Sequence, residues 1–409
     1  MDRSIRLPNR ISTSEILYLS AFVVYMTVMI LRSTVLITAI PEAAYKLVCL
    51  VCWGILAISE LLKRGYNYRL FLTLALIAFF FLIIHRAVSF VTATPLLFIY
   101  CGRTYSIQRI LRVTAWLTIF WLGIIVVCSQ VGLIENYIMD AKYQRPREFL
   151  GFRYALYAST YLLDIITIDF YLNRERVPLW RIAFYFGAGY WLYYVTDSRL
   201  CFLFTLIMLL ALIYLKLHSH VMVRPRQTLY RFLTFFVTFA WLFGMALSFF
   251  LVKIYSPKNR ILAKLNNLLT GRLNFMQQSV KTYGLSLFGR RIEWVGNGLN
   301  ESGMQDRGEY LYVDNLYVQF TQRYGIFFIA VILVLLTYLM FDARRRHDTH
   351  LLFVLTMLAA HAVVDDLILH IWFNPFWIML GSVIASLTAR GKEGKIKVNV
   401  PVWNTGTAG

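Results

Sequence analysis

Long apolar runs recur from one end of the 409-residue chain to the other, with short basic segments between them. A helix rises about 1.5 Å per residue, so such a run can cross the ~30 Å hydrocarbon layer of a bilayer with its backbone polar groups satisfied internally. Runs near residues 15 to 36, 43 to 62, 70 to 85, 87 to 101, 111 to 133, 155 to 172, 182 to 196, 200 to 216, 230 to 252, 324 to 341, 351 to 369 and 372 to 388 predict an all-α, polytopic membrane protein of about twelve transmembrane helices. With 59% hydrophobic and only 15% charged residues, no soluble domain can be cut out, and residues 1–409 read as one helical domain.

The alternate connectors are compact and basic: KRGYNYR at 63, GRTYSIQRILR at 102, NRERVPLWR at 173, the stretch from Lys216 to Arg231, and DARRRH at 342. Together with the N-terminal arm and the tail ARGKEGKIK they carry more than half of the 41 Lys and Arg residues. The positive-inside rule places these segments, and therefore both termini, in the cytoplasm and makes the span count even. The basic arm runs into an apolar segment without a small-residue cleavage site, which reads as an uncleaved first helix. The five cysteines lie in or beside apolar runs and suggest neither a disulfide framework nor a zinc site; no metal and no cofactor is expected.

Two connectors on the opposite, extracytoplasmic face are long, one from about Ile134 to Tyr154 and one spanning 253–313. The second is too long to lack structure. Within it Leu273, Met276, Val280 and Tyr283 recur at helical spacing, and Gly284 follows where a helix would end. This face should be poor in cations, yet it holds Arg145, Arg147, Arg153, Arg199, Arg272, Arg290 and Arg291, with Arg323 just beyond. Solvated loop cations or headgroup contacts explain any one of them; the set, drawn from three connectors, points to an anionic ligand at the membrane surface. Arginine suits phosphate because its planar fork makes paired, charge-assisted bonds and stays ionised when desolvated. Tyr283, Trp294, Tyr310, Tyr312, Tyr317 and Tyr324 suit sugar faces or form an aromatic belt. Nucleic acid is excluded, because no soluble basic module exists to carry it.

Four ordered stretches resemble the Wzy-type polymerases of capsular, exopolysaccharide and O-antigen synthesis, in the O-antigen ligase and polymerase superfamily. They are RPREFLGFRYALYAS from Arg145, the TDSR turn at Thr196 to Arg199, TGRLNFMQQSVKTYGLSLFG from Thr270, and VDNLYVQFTQRYG from Val313; HIWFNPFW around His370 resembles the family's closing helix pair. Many relatives carry His-Pro-Asn where this chain has Tyr154, Ala155 and Leu156. The Val-Asp-Asn form resembles Gram-positive polymerases, whereas ligases carry His-Asn there.

The resemblance implies a metal-independent glycosyltransferase of the bacterial cytoplasmic membrane. It would polymerise undecaprenyl-diphosphate-linked oligosaccharide repeat units at the outer face, alongside membrane lipid, a repeat-unit flippase and a chain-length co-polymerase. Arg272, at the start of a helix, and Arg199 would hold and stabilise the departing diphosphate, and Asp314 would bind or deprotonate the acceptor hydroxyl. Arg145, Arg147, Arg153, Arg290, Arg291, Arg323 and Tyr317 would contact substrate, while Asp365, Asp366 and His370, with His361, would support them. Competing readings stay open: Asp314 as a helix N-cap, Arg199 as a turn residue paired with Asp197, and the buried acids as interhelical hydrogen-bonding groups. At the level of the whole chain the alternatives are a ligase-like transferase and a lipid-linked oligosaccharide flippase. A transporter should show internal repeats and Gly/Pro-broken midplane helices, and neither is visible.

Overall fold

The computed structural model describes residues 11–63, 68–139, 146–218 and 227–389. The first half of the chain forms α1 (Thr13–Arg32), α2 (Glu42–Leu61), α3 (Tyr68–Ala87), α4 (Thr94–Gly102), α5 (Ile107–Gln130), α6 (Leu156–Asn173), α7 (Leu179–Thr196) and α8 (Arg199–His218). The second half forms α9 (Gln227–Val237), α10 (Ala240–Ile254), α11 (Arg260–Leu268), α12 (Arg272–Tyr283), α13 (Leu316–Tyr324), α14 (Ile326–Arg345), α15 (Thr349–His361) and α16 (Met379–Thr388). Two-residue strands β1 (Ile138–Met139) and β2 (Arg147–Glu148) pair antiparallel in the connector before α6.

Helices α1, α2, α3, α5, α8 and α14 are long and apolar enough to cross a membrane, and a bent pair, Arg231–Val237 with Ala240–Ile254, would make a seventh. The protein is thus an all-α, multi-pass membrane protein. Large apolar side chains such as Leu72, Leu82, Trp116 and Val334 project outward, as a lipid solvent permits and water does not. Helix α6 is the axis of the bundle: every residue from Ala158 to Tyr171 is buried, because α5, α7, α8 and α15 all pack on it.

The twelve apolar runs do not all become long helices. The runs at 351 to 369 and 372 to 388 break: α15 stops at His361, and the chain passes through turns before α16. Local hydrogen bonds hold this break. Asp365 Oδ1 accepts from the Leu367 amide at 2.7 Å, and the side chains of Asn374 and Trp377 both donate to the Ile368 carbonyl. Asp365 and Asp366 therefore lie in a connector, not inside the penultimate helix. At 13 residues α15 spans about 20 Å, short of the hydrocarbon thickness.

The two ends of the bundle differ. At one end the basic connectors are tied by ion pairs, among them Lys63–Glu60, Arg103–Glu60 and Arg174–Asp348. At the other end the long connectors are stitched together by their backbones. The Arg153 amide donates to Ser33 O, Leu299 N to Arg153 O, and Leu316 N to Ala362 O, all at 2.8 to 2.9 Å.

The 253–313 connector carries α11 and α12 and has an apolar core of its own, in which Leu273, Met276, Ile292, Trp294 and Val313 meet Val252 and Val318. Two glycines anchor it to α13. A Cβ on Gly289 would lie 2.2 Å from Arg323 O, and one on Gly325 would lie 2.4 Å from Leu287 O, with φ of +72° and +95° respectively. Backbone meets backbone at both places, so no other residue fits without movement.

Candidate functional site

At the long-connector end a cleft of about 320 Å³ opens between β2, the N-terminus of α6, the α7–α8 turn and α12. It gathers Arg147, Asp197, Arg199, Arg272, Tyr310 and Asp314 from segments far apart in the chain.

Local geometry places each of these groups. Asp197 closes α7 in the left-handed conformation, φ 52°, with its amide on Tyr193 O. Buried hydroxyls hold this turn against α6: Ser198 Oγ lies 2.7 Å from Ser159 Oγ and 2.9 Å from Thr196 Oγ1. The Asp197 carboxylate then sits between two guanidiniums, 3.3 Å from Arg147 Nη2 and 3.2 Å from Arg199 Nε. Between α11 and α12 the chain reverses through Thr270 and Gly271, at φ 56° and 88°. Gly271 has no side chain to cap α12, and Asn266 Oδ1 accepts from the Asn274 amide at 3.0 Å instead.

Arg272 is the first residue of α12, and its side chain is 9% exposed. Its Nε lies 3.3 Å from Asp314 Oδ2, and neither Nε nor Nη1 makes a hydrogen bond. Asp314 balances the charge of this buried guanidinium, but its unmade hydrogen bonds leave donors for a further anionic partner. Burial works against its charge, but Asp314 and then Asp365 outweigh it and hold Arg272 firmly protonated. Burial raises the Asp314 carboxyl above its ordinary range; Arg272 pulls it back, and Asp365 pushes it further up.

Asp314 is not the helix cap. Asn315 caps α13, its Oδ1 accepting from Val318 N at 2.9 Å while its Nδ2 donates to Ser248 Oγ and Val363 O. The aspartate is left to face the cleft and Arg272. Behind it Asp366 Oδ2 accepts from Tyr312 Oη and from Gln319 Nε2, and His361 Nε2 lies 3.5 Å from Asp365 Oδ2.

Other residues suggested by the sequence lie elsewhere. Arg153 donates from Nε to Leu299 O at 2.7 Å and joins two connectors. Burial lowers its proton affinity. Arg290 is exposed, and Arg291 makes an exposed pair with Glu293. Arg323 stacks on Trp294 at 4.6 Å. Tyr317 is fully buried and donates to Ala359 O at 2.9 Å, so it offers no ring to a ligand. His370 stacks on Trp372 at 4.4 Å and lines a separate small cavity of about 100 Å³. Arg145 lies outside the described residues.

The cleft also contains Tyr154, which stands where many Wzy-type polymerases carry the histidine of His-Pro-Asn, and two residues that sequence reasoning did not single out, Phe275 and Asn297. Phe275 and Tyr310 form an edge-to-face aromatic wall with centroids 4.8 Å apart. Phe275 was findable, since it lies three residues after Arg272 on the same helix face. Asn297 carries no such signal.

Cys201, His361 and Asp365 bring three potential metal-ligand atoms within 4.8 Å of one another. The fixed charge of Arg272 acts on Asp365 and opposes a further cation there. Comparison with protein-family models, with curated proteins and with solved structures returns no match for this chain.

Proposed function

We propose that the cleft binds the diphosphate of a polyprenyl-linked oligosaccharide at the outer membrane surface and transfers the glycan to a sugar hydroxyl of a second lipid-linked repeat unit. This is the activity that the resemblance to Wzy-type polymerases implies. The observation that carries it is Arg272, a buried and firmly charged guanidinium with idle donors, opening on a cleft that two further arginines from other connectors also line.

In this reading the acceptor oxygen attacks the anomeric carbon as the bond from that carbon to the diphosphate oxygen breaks. The diphosphate leaves with the electron pair, its growing charge met by Arg272, Arg147 and Arg199. Asp314 takes the acceptor proton. Burial supports that role, because a carboxylate with raised proton affinity is a better base at neutral pH than a free aspartate. Phe275 and Tyr310 offer the sugar a flat apolar wall.

The topology belongs to the same proposal. The chain crosses the bilayer twelve times, with α4, α15 and α16 as short crossings completed by their flanking turns. The basic connectors and both termini face the bacterial cytoplasm, and the 253–313 segment faces outward.

The test is complementation of a strain that lacks this chain and makes the cognate glycan. Wild type, Arg272→Ala, Arg272→Lys and Asp314→Asn are compared at equal membrane levels. Single lipid-linked repeat units on the outer face, without polymer, are expected from Arg272→Ala and Asp314→Asn. Full polymer from every variant refutes the site; repeat units trapped on the inner face in the null strain refute the activity in favour of a flippase.

A further inference from the structure

A groove of about 540 Å³ runs along the outside of α5, α6 and α7, away from the cleft. Its walls are apolar, and a Cβ on Gly123 would meet nothing within 4 Å, so that lining position is open space. Its polar residues cluster at the basic-connector end, where Arg112 of α5, Asp169 of α6 and Arg181 of α7 line the same mouth. From Arg181 to the end of α7 at Thr196 the helix rises about 22 Å, so this mouth and the cleft lie at opposite ends of the bundle.

The charges at the mouth do not cancel. Arg181 Nη1 lies 3.2 and 3.3 Å from the two Asp169 oxygens, and Tyr185 Oη and Asn173 Nδ2 also donate to that carboxylate. Asp169 is thereby satisfied and its charge is matched by Arg181. Arg112, exposed on α5, is the surplus. Trp180 lies under the Arg181 guanidinium at 5.5 Å and is itself exposed, the arrangement of an interfacial anchor.

The length also admits the occupant. Along α7 the lining residues from Trp180 to Leu192 cover about 18 Å and along α5 those from Arg112 to Val127 about 22 Å, enough for the ~15 Å of one leaflet's hydrocarbon. We propose that the groove seats one acyl chain of an anionic phospholipid from the leaflet at the basic-connector end, with its phosphate at Arg112 and Arg181. The site does not depend on the chemistry assigned to the cleft.

Native mass spectrometry of the full chain in detergent, mixed with phosphatidylglycerol or with phosphatidylcholine of the same acyl chains, tests this. A surplus cation near a headgroup corresponds to a preference of about fivefold for the anionic lipid, falling toward equality in Arg112→Gln. Gly123→Leu fills the groove from a position with room for the side chain, so it should reduce retention of both lipids while leaving the fold intact. Equal retention of the two lipids by wild type overturns the headgroup assignment. Unchanged retention by Gly123→Leu overturns the groove itself. Displacement of bound phosphatidylglycerol by an equal concentration of polyprenyl phosphate overturns the choice of a phospholipid.

Discussion

Arg272→Ala is expected to fail in two separable ways, and the separation tests the reading of the site. The substitution leaves Asp314 buried without its counter-charge. Rather than remain ionised, the carboxyl takes a proton on folding, so its folded-state affinity for protons rises further above the unfolded value. A raised acid favours the folded state at low pH, and that contribution is lost as pH climbs from the ordinary carboxylate range toward the folded value. Each unit in that window is worth at most about 1.4 kcal/mol, so the variant's deficit relative to wild type, whose Asp314 is already raised, should widen as pH climbs from 5 to 7. Removing one partner of a buried pair costs ~3–5 kcal/mol in general, which bounds the deficit from above. Thermal unfolding in detergent at pH 5, 6 and 7 reads it as a deficit that widens with pH. Arg272→Ala/Asp314→Asn removes both charges and should recover most of the stability at pH 7 while polymer formation stays lost. A deficit independent of pH, or a double variant no more stable than the single, would refute the pairing of these two groups.

Three other outcomes follow from particular contacts. Gly289→Ala should uncouple the 253–313 segment from α13, because its Cβ would fall 2.2 Å from Arg323 O at a positive φ; faster limited proteolysis of that segment, with the spans intact, is the readout. Asn315→Ala removes a helix cap and two buried donors, each worth about 1 kcal/mol or more, and should lower the unfolding temperature by several degrees. Arg291→Ala should change neither stability nor polymer length, since its pair with Glu293 is 72% and 80% exposed; shorter polymer would show that the substrate reaches beyond the cleft.

The features legible in the sequence were those set by local rules. Long apolar runs became long helices, and the spacing of Leu273, Met276, Val280 and Tyr283 marked α12, which ends at Gly284 with φ 65°. The break at Asp365 was not legible, because an apolar run does not reveal that its aspartate will bind its own backbone. Asp314 and Asn315 are adjacent candidates for one cap, and only the fold shows that Asn315 also reaches Ser248 and Val363 while Asp314 turns to Arg272. The arginines divided in the same way. Sequence gave all of them one chemistry, but Arg153 spends its donors on carbonyls of distant connectors and Arg323 lies on an indole. Tyr317 was misjudged for a related reason, since α13 is buried on nearly all sides and its rings point inward.

The most direct test of the central claim uses the purified chain in nanodiscs, given a polyprenyl-diphosphate-linked repeat unit and followed by mass spectrometry. Wild type should yield lipid-linked products heavier by whole repeat units, with one polyprenyl diphosphate released for each bond formed. Arg272→Ala should yield neither, while Arg291→Ala behaves as wild type. Unextended substrate with wild type, under conditions where the substrate binds or crosses the bilayer, would contradict the account.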